Sequence, residues 1–285
     1  MALPASPPAA SDKAAAKTAV GLRICDVPLS ITGLPPSLRE RFGDLMRPFL
    51  ATHDPIETPH RLVARKRDDG AWEILTGERV MGGFGSRELL LEQLEWHAIT
   101  AALQVTSAYA VIHGATLVRG SSVVLLLAES GAGKTTLTLG LMGRGWQPLS
   151  DDITLVERET LAVSPFPRCF HVDDASRALA ADESLVEWPA ALGDHARPLQ
   201  WATQSPQPNT VLVVERCVTC PTRLRALSLA EAAAAIGTHS LRGALSKAEL
   251  THVAVRLAMG ARNGGRLNNG NLGDALDLIE AVSQH

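Results

Sequence analysis

Apolar positions along this chain change period several times, and each change marks a predicted element. Residues 22–31 alternate as a strand does, and 36–51 read as a helix entered through Pro36. Residues 61–66 and 72–80 predict further strands, parted by the turn-forming Asp68-Asp69-Gly70. From 86 to 107 the spacing becomes helical, with Leu89, Leu90, Leu94, Ile99 and Leu103 near one period and Ser86 at the start; this helix is expected to pack on the core sheet. Residues 109–118, the polar Arg119-Gly120-Ser121-Ser122 and the unbroken run Val123-Val124-Leu125-Leu126-Leu127 predict a hairpin with a fully buried second strand. Helical spacing begins again at Thr136, and strands are predicted at 149–156 and 210–215. Alanine-rich helices are expected at 229–236, 247–259 and 274–282, with 262–271 a loop between the last two. Residues 174–208 show no clean period. Residues 1–19, rich in Ala and Pro, are expected to form a disordered tail, and the order of elements predicts a small α+β unit over 20–104 and a larger α/β unit over 105–285.

The strand ending at Ala128 runs directly into Glu129-Ser130-Gly131-Ala132-Gly133-Lys134-Thr135, and a helix follows. Strand, glycine-bearing loop and helix in that order form the setting of a phosphate-binding loop. Glycines let backbone N–H groups turn inward, the lysine reaches the outer phosphates, and the hydroxyl after it can ligate Mg²⁺. The helix adds its positive end. Ser130, Gly131, Ala132, Gly133, Lys134, Thr135 and Thr136 are therefore the expected nucleotide contacts. Ala128 replaces the glycine common at the first position, and a small residue still fits the turn.

Sixteen residues after Lys134 begins the pair Asp151-Asp152, at the head of an apolar segment. Phosphoryl transfer needs a carboxylate near the metal and a group that takes the proton of the incoming hydroxyl. One carboxylate of the pair is expected to meet the metal and the other the acceptor, the bland alternative being a turn with solvated aspartates. His113 is expected on the strand paired with the loop strand, where it either contacts phosphate or a catalytic aspartate or is an ordinary core histidine. Two more charged residues are candidates: Glu215, ending a predicted strand, as a second carboxylate, and Arg168 as a clamp for phosphate or an acidic peptide. A solvated strand end and a surface arginine are the plain alternatives.

Taken in order, His113-Gly114, Glu129 to Thr135, Arg144-Gly145-Trp146 and Ser150-Asp151-Asp152 resemble the motifs of the HPr kinase/phosphorylase family over roughly residues 105–160. The resemblance implies a P-loop kinase core of the HPr kinase and phosphoenolpyruvate-carboxykinase-like type, using ATP and Mg²⁺ on a serine of a peptide or protein. It implies a mixed sheet, and by position it makes Asp151 the catalytic acid/base, Asp152 its neighbour near the metal and His113 the active-site histidine, with Thr135 in place of the metal-binding serine; Lys134, in the loop, is expected to act in catalysis as well. The chain departs from the family at Thr136, where an acidic residue is usual, and after residue 160 the family's C-terminal signature is missing. Residues 163–171 are similar instead to a divergent branch associated with peptide modification, including kinases of lasso-peptide precursors. Family members are hexamers, which leaves a homo-oligomer open here.

Composition narrows the classes. With 285 residues, 46% hydrophobic, the chain is large enough for a core and an accessory unit. A net charge of −3 and 4% aromatic residues give no footing for nucleic acid, and no apolar run is long enough to span a bilayer. Cys25, Cys169, Cys217 and Cys220 are too few for a disulfide framework, so a reduced, cytoplasmic protein is expected. Cys217 and Cys220 form a C-x-x-C that Cys169 and His171 could complete as a zinc site; ordinary thiols are the simpler expectation. A small-molecule hydroxyl kinase and a non-catalytic nucleotide-binding regulator stay open beside the peptide kinase.

Overall fold

A computed structural model describes residues 19–51, 58–179, 184–189, 193–217 and 219–284. The expected tail lies, but for its final residue, outside the described residues. The chain is mixed α/β with mixed sheets and divides into two units, Met1–Thr106 with Pro189–Gly193, and Ser107–Trp188 with Asp194–His285. Among the described residues no helix is long and apolar enough to cross a membrane.

In the first unit, β1 (Val20–Ile24) and β2 (Val27–Thr32) form a hairpin where the sequence reads as one strand. The two-residue turn places Cys25 at φ 56°, as a tight hairpin requires of its first central residue. The first helix, α1 (Pro36–Leu45), stops short of the predicted 51. Pro48 would clash with the carbonyl four residues back, and the chain leaves through a 3₁₀ turn at Arg47–Phe49. The strands β3 (His60–Lys66), β4 (Trp72–Thr76) and β5 (Arg79–Phe84) complete a sheet of order β1-β2-β3-β4-β5, with Gly77 at φ 58° splitting the predicted 72–80 strand. The long helix α2 (Arg87–Val105) starts where Ser86 Oγ accepts from the Leu89 N–H at 3.1 Å. It buries Leu90, Leu94, Ala98 and Ile99 and packs on this five-stranded sheet, its own unit's, whereas Leu89 is exposed.

The second unit opens with the hairpin of β6 (Tyr109–Arg119) and β7 (Ser122–Ala128), followed by α3 (Lys134–Met142), β8 (Gln147–Ser150) and β9 (Ile153–Glu157). Short strands β10 (Val163–Ser164) and β11 (Phe170–His171) follow, and helix α4 (Asp174–Arg177) and strands β12 (Val186–Glu187) and β13 (His195–Pro198) occupy the stretch without a clean period. Then come β14 (Thr210–Arg216), β15 (Arg223–Ala226), α5 (Leu229–His239), α6 (Lys247–Gly260), β16 (Asn263–Asn269) and α7 (Leu272–Ser283). The main sheet runs β10-β9-β6-β7-β14-β16-β15, with β8 also on β6; β11, β13 and β12 form a small sheet of their own. Along β7 alternate side chains enter two cores. Val124, Leu126 and Ala128 join Leu137, Leu141 and Leu276 on one face, while Val123, Leu125 and Leu127 join Ile236, Val253 and Leu257 on the other. Helices on both faces explain why the strand is apolar without interruption. Both α5 and α6 begin with capping boxes, Ser228 with Glu231 and Ser246 with Glu249.

Three strands, β7, β14 and β16, are parallel, and their carboxyl ends fall together: Val214 is level with Ala128, and Arg216 with Asn269. The third of them corrects an expectation, because the sequence predicts a loop over residues 262–271. Its Asn-Gly-Gly-Arg-Leu-Asn-Asn sequence has no strand pattern, yet it lies between β14 and the edge strand β15. Glycine suits position 265, since a Cβ would stand 2.5 Å from Leu224 Cδ1 and 3.2 Å from Leu212 Cδ2 and those side chains would have to shift. The cysteines bring a second correction. Cys217 and Cys220 are joined as a disulfide, with Cα atoms 5.3 Å apart, and are neither free thiols nor zinc ligands. Cys25 and Cys169 take part in no disulfide among the described residues.

Candidate functional site

The turn from β7 into α3 is built by the backbone. The Ala132 N–H donates to the Glu129 carbonyl at 3.2 Å, and Gly133, at φ 96°, is the left-handed residue that opens the helix. A Cβ at Gly133 would approach Asn269 Nδ2 to 3.0 Å, so both backbone angle and space select glycine. No side chain caps the first turn of α3 and no acidic residue lies in it. Its amide donors therefore meet the cavity beyond the loop as a partial positive charge. That cavity, about 570 Å³, is bordered by all seven loop residues expected to bind nucleotide, by both aspartates, and by His113 and Arg168.

Asp151 and Asp152 occupy the bend between β8 and β9, and strand β6 explains how they come to the loop. The first half of β6 pairs with β9, the second half with β8, so the bend sits beside Gly114, which also pairs with Leu127 of β7. Buried hydroxyls fix the bend. Thr154 donates to the Gly114 carbonyl at 2.9 Å, which leaves its oxygen to accept from Thr116 at 2.9 Å and Ser150 at 2.8 Å; Ser150 Oγ in turn accepts the Thr116 N–H at 3.2 Å. Every member has a partner, as a buried polar network must.

The side chains divide into two groups. Lys134 Nζ donates to the Ala128 carbonyl and lies 2.9 Å from His113 Nε2, with Asp152 Oδ1 at 3.8 Å. Burial lowers the pKa of Lys134, against the pull of Asp152 and Asp151. The Asp152 side chain is 41% exposed and lies 3.4 Å from His113 Nδ1 and 3.8 Å from Arg168 Nη1. Asp151 is buried, and Thr135 donates to its Oδ2 at 2.9 Å. Burial, then the neighbouring Asp152 charge, raises the Asp151 carboxyl to about 6. Its Oδ1 is buried without a hydrogen-bond partner, the Thr138 hydroxyl lying near but outside bonding geometry.

Other predicted residues fall less centrally. Thr136 borders the cavity with its hydroxyl 2.8 Å from Ser176 Oγ on α4. Glu215 pairs with Arg266, and neither borders the cavity. Arg144 and Trp146, part of the motif that suggested the family, tie instead to Glu280 on α7 at 2.9 and 3.3 Å. Arg216, Asn269 and His239 are site residues that no sequence motif points to. The first two end parallel strands, where ligands of α/β sheets gather, and that rule would have found Arg216 once β14 was placed parallel to β7. His239, at the end of α5, stacks on His113 with centroids 6.3 Å apart, and burial lowers its pKa. The Ile112–Ser240 bridge and the packing of α5 on β6 bring it there, which no local pattern announces.

No family model matches this chain, and no curated protein matches its sequence. Among solved structures, the Hpr(Ser) kinase/phosphatase from Coxiella burnetii is similar over 61% of this chain and 95% of its own, at 14% identity and a TM-score of 0.29.

Proposed function

We propose that the second unit is an ATP- and Mg²⁺-dependent kinase that transfers the terminal phosphate to a Ser or Thr hydroxyl of a peptide or protein. One observation carries the reading. A buried lysine, an uncapped helix start and two carboxylates of unlike exposure border the same cavity. Lys134 and the amides at the start of α3 are the groups that would hold a nucleotide's outer phosphates. Mg²⁺ fits the donors present, because Asp151 leaves a buried oxygen without a partner and sits against the Thr135 hydroxyl. Bound there, Mg²⁺ would supply neutralisation of the phosphate charge that develops during transfer.

The geometry favours exchanging the two aspartates' roles relative to the expectation from sequence. Asp151, buried against Thr135, is the cation-side carboxylate; Asp152, half-exposed beside His113 and Arg168, is placed to take the acceptor's proton. His113 and Lys134 hold Asp152 in position, and Arg168 offers a fixed guanidinium to an anionic group entering beside it. A peptide acceptor rests on the family resemblance alone. The test is transfer from labelled ATP to Ser- and Thr-containing peptides, with small hydroxyl compounds in parallel. Labelled peptide supports the proposal; labelled small molecules alone replace the acceptor class; nucleotide binding without transfer to either returns the chain to a regulatory role.

A further inference from the structure

We infer that His171, Asp194 and His195 form a binding site for a zinc-class divalent cation, separate from the donors of Asp151 and Thr135. The small sheet sets this up, because β11 and β13 pair antiparallel with His171 directly opposite His195. Their rings lie 5.4 Å apart at 76°, edge to face. Asp194, the residue before β13, turns its carboxylate to both: Oδ1 is 2.8 Å from His195 Nδ1 and Oδ2 is 3.4 Å from His171 Nδ1. One ligand atom of each residue lies within 4.8 Å of the other two.

Two imidazoles and a carboxylate form a mixed nitrogen and oxygen donor set, which suits zinc and its transition-metal neighbours; Mg²⁺ and Ca²⁺ prefer oxygen alone. Zinc bonds of about 2.0–2.2 Å place donors roughly 3.3 Å apart, so small rotations of the two outer side chains close the set. Those two are the ones with room to move. His171 and Asp194 side chains are 60% and 45% exposed, while His195 is buried and anchors the site. Three protein donors leave a fourth position to water or a ligand oxygen. Since His171 also borders the cavity with Lys134, that position lies at the cavity's edge. The cation would add to the strand pairing of β11 and β13, joining through metal the two imidazoles that now meet through Asp194. The inference does not depend on the kinase reading.

A plain hydrogen-bonded triad, with Asp194 accepting from both rings, is the competing account, and metal analysis separates the two. The full chain, stripped with chelator and dialysed against micromolar ZnCl₂, is expected to retain one zinc. His171→Ala and Asp194→Ala should each weaken zinc binding at least about 100-fold, more than the loss of an outer-shell partner. His171 is exposed, so its variant is expected to fold, and circular dichroism verifies that. Cobalt in place of zinc should give visible d–d bands without a thiolate charge-transfer band, and Cys217→Ser with Cys220→Ser should keep the metal. No zinc retained by the wild type, retention by folded His171→Ala, or loss in the double cysteine variant would each overturn the site.

Discussion

Asp152 and Asp194 each lie 3.4 Å from a histidine Nδ1, yet the two clusters around them differ in the positive charge they hold. Asp152 has an ammonium and a guanidinium at 3.8 Å, from Lys134 and Arg168, besides the imidazole of His113. Asp194 lies between two imidazoles. Arginine carries its charge throughout the physiological range, and Lys134, although burial lowers its pKa, is drawn towards its charged form by Asp152 and Asp151, whereas an imidazole's charge comes and goes with a proton or is replaced by a metal. The first cluster therefore offers standing positive charge to a polyanion. The second offers electron pairs to a cation. The difference was partly visible in sequence, since a lysine inside a glycine-bearing loop announces phosphate, whereas three residues divided between 171 and 194–195 announce nothing until β11 and β13 pair.

The sharpest break in this comparison is expected at Asp152. Asp152→Asn keeps size and polarity but removes basicity, so turnover should fall by about 10² to 10⁴ with ATP binding retained. Asp151→Asn should instead raise the Mg²⁺ requirement and recover at high Mg²⁺, because mass action restores a lost ligand and cannot restore a base. Mg²⁺ titrations of both variants decide the division: recovery of Asp152→Asn alone would reverse it.

Next comes the pH dependence that the buried Asp151 imposes. Its carboxyl titrates at about 6 in the fold against an ordinary 3.8, so the folded state holds the proton more tightly. The stabilisation is complete below the ordinary value and is lost as pH rises through about 6, a change of about 3 kcal/mol without divalent cations. Urea melts from pH 4 to 7 should show that fall in wild type and a flatter profile in Asp151→Asn. A wild-type profile already flat would show that the carboxyl is solvated.

Lys134→Ala tests the standing charge, and its loss should weaken nucleotide binding or turnover by roughly 100-fold. Zinc uptake at the second cluster should be unchanged. Calorimetry with Mg-ATP and with zinc on one preparation provides both measurements, and unaltered nucleotide affinity and turnover together would remove the phosphate-loop reading.

The smallest effect is expected from Thr154→Val. This isostere deprives Thr116 and Ser150 of their acceptor and Gly114 of a donor, at a cost of about 1–3 kcal/mol. Denaturant unfolding measures it, and a variant as stable as wild type would mean the hydroxyls do not hold the bend.

What the sequence disclosed follows physical lines. The run 123–127 is buried on both faces and has the composition to match, so β7 and the loop after it were legible. Strand β16 was not. Its place is set by Leu224 and Leu212 pressing on a glycine and by hydrogen-bonding partners on either side, and none of these is a property of residues 263–269. Likewise C-x-x-C spacing permits thiols, a metal site or a bridge, and the structure has the bridge. For the aspartates, sequence located the pair but not which member turns inward, since that depends on how β8 and β9 share one partner strand.

This shared pairing sets a limit on how the protein can change. Residue identity at 151 and 152 can be exchanged by mutation, but their number cannot, because β8 and β9 are registered to the same strand on both sides of the bend. One inserted residue would turn every side chain of β9 to the opposite face and carry the Thr154 hydroxyl away from Gly114. In libraries built on this chain, length variation belongs outside residues 147–157.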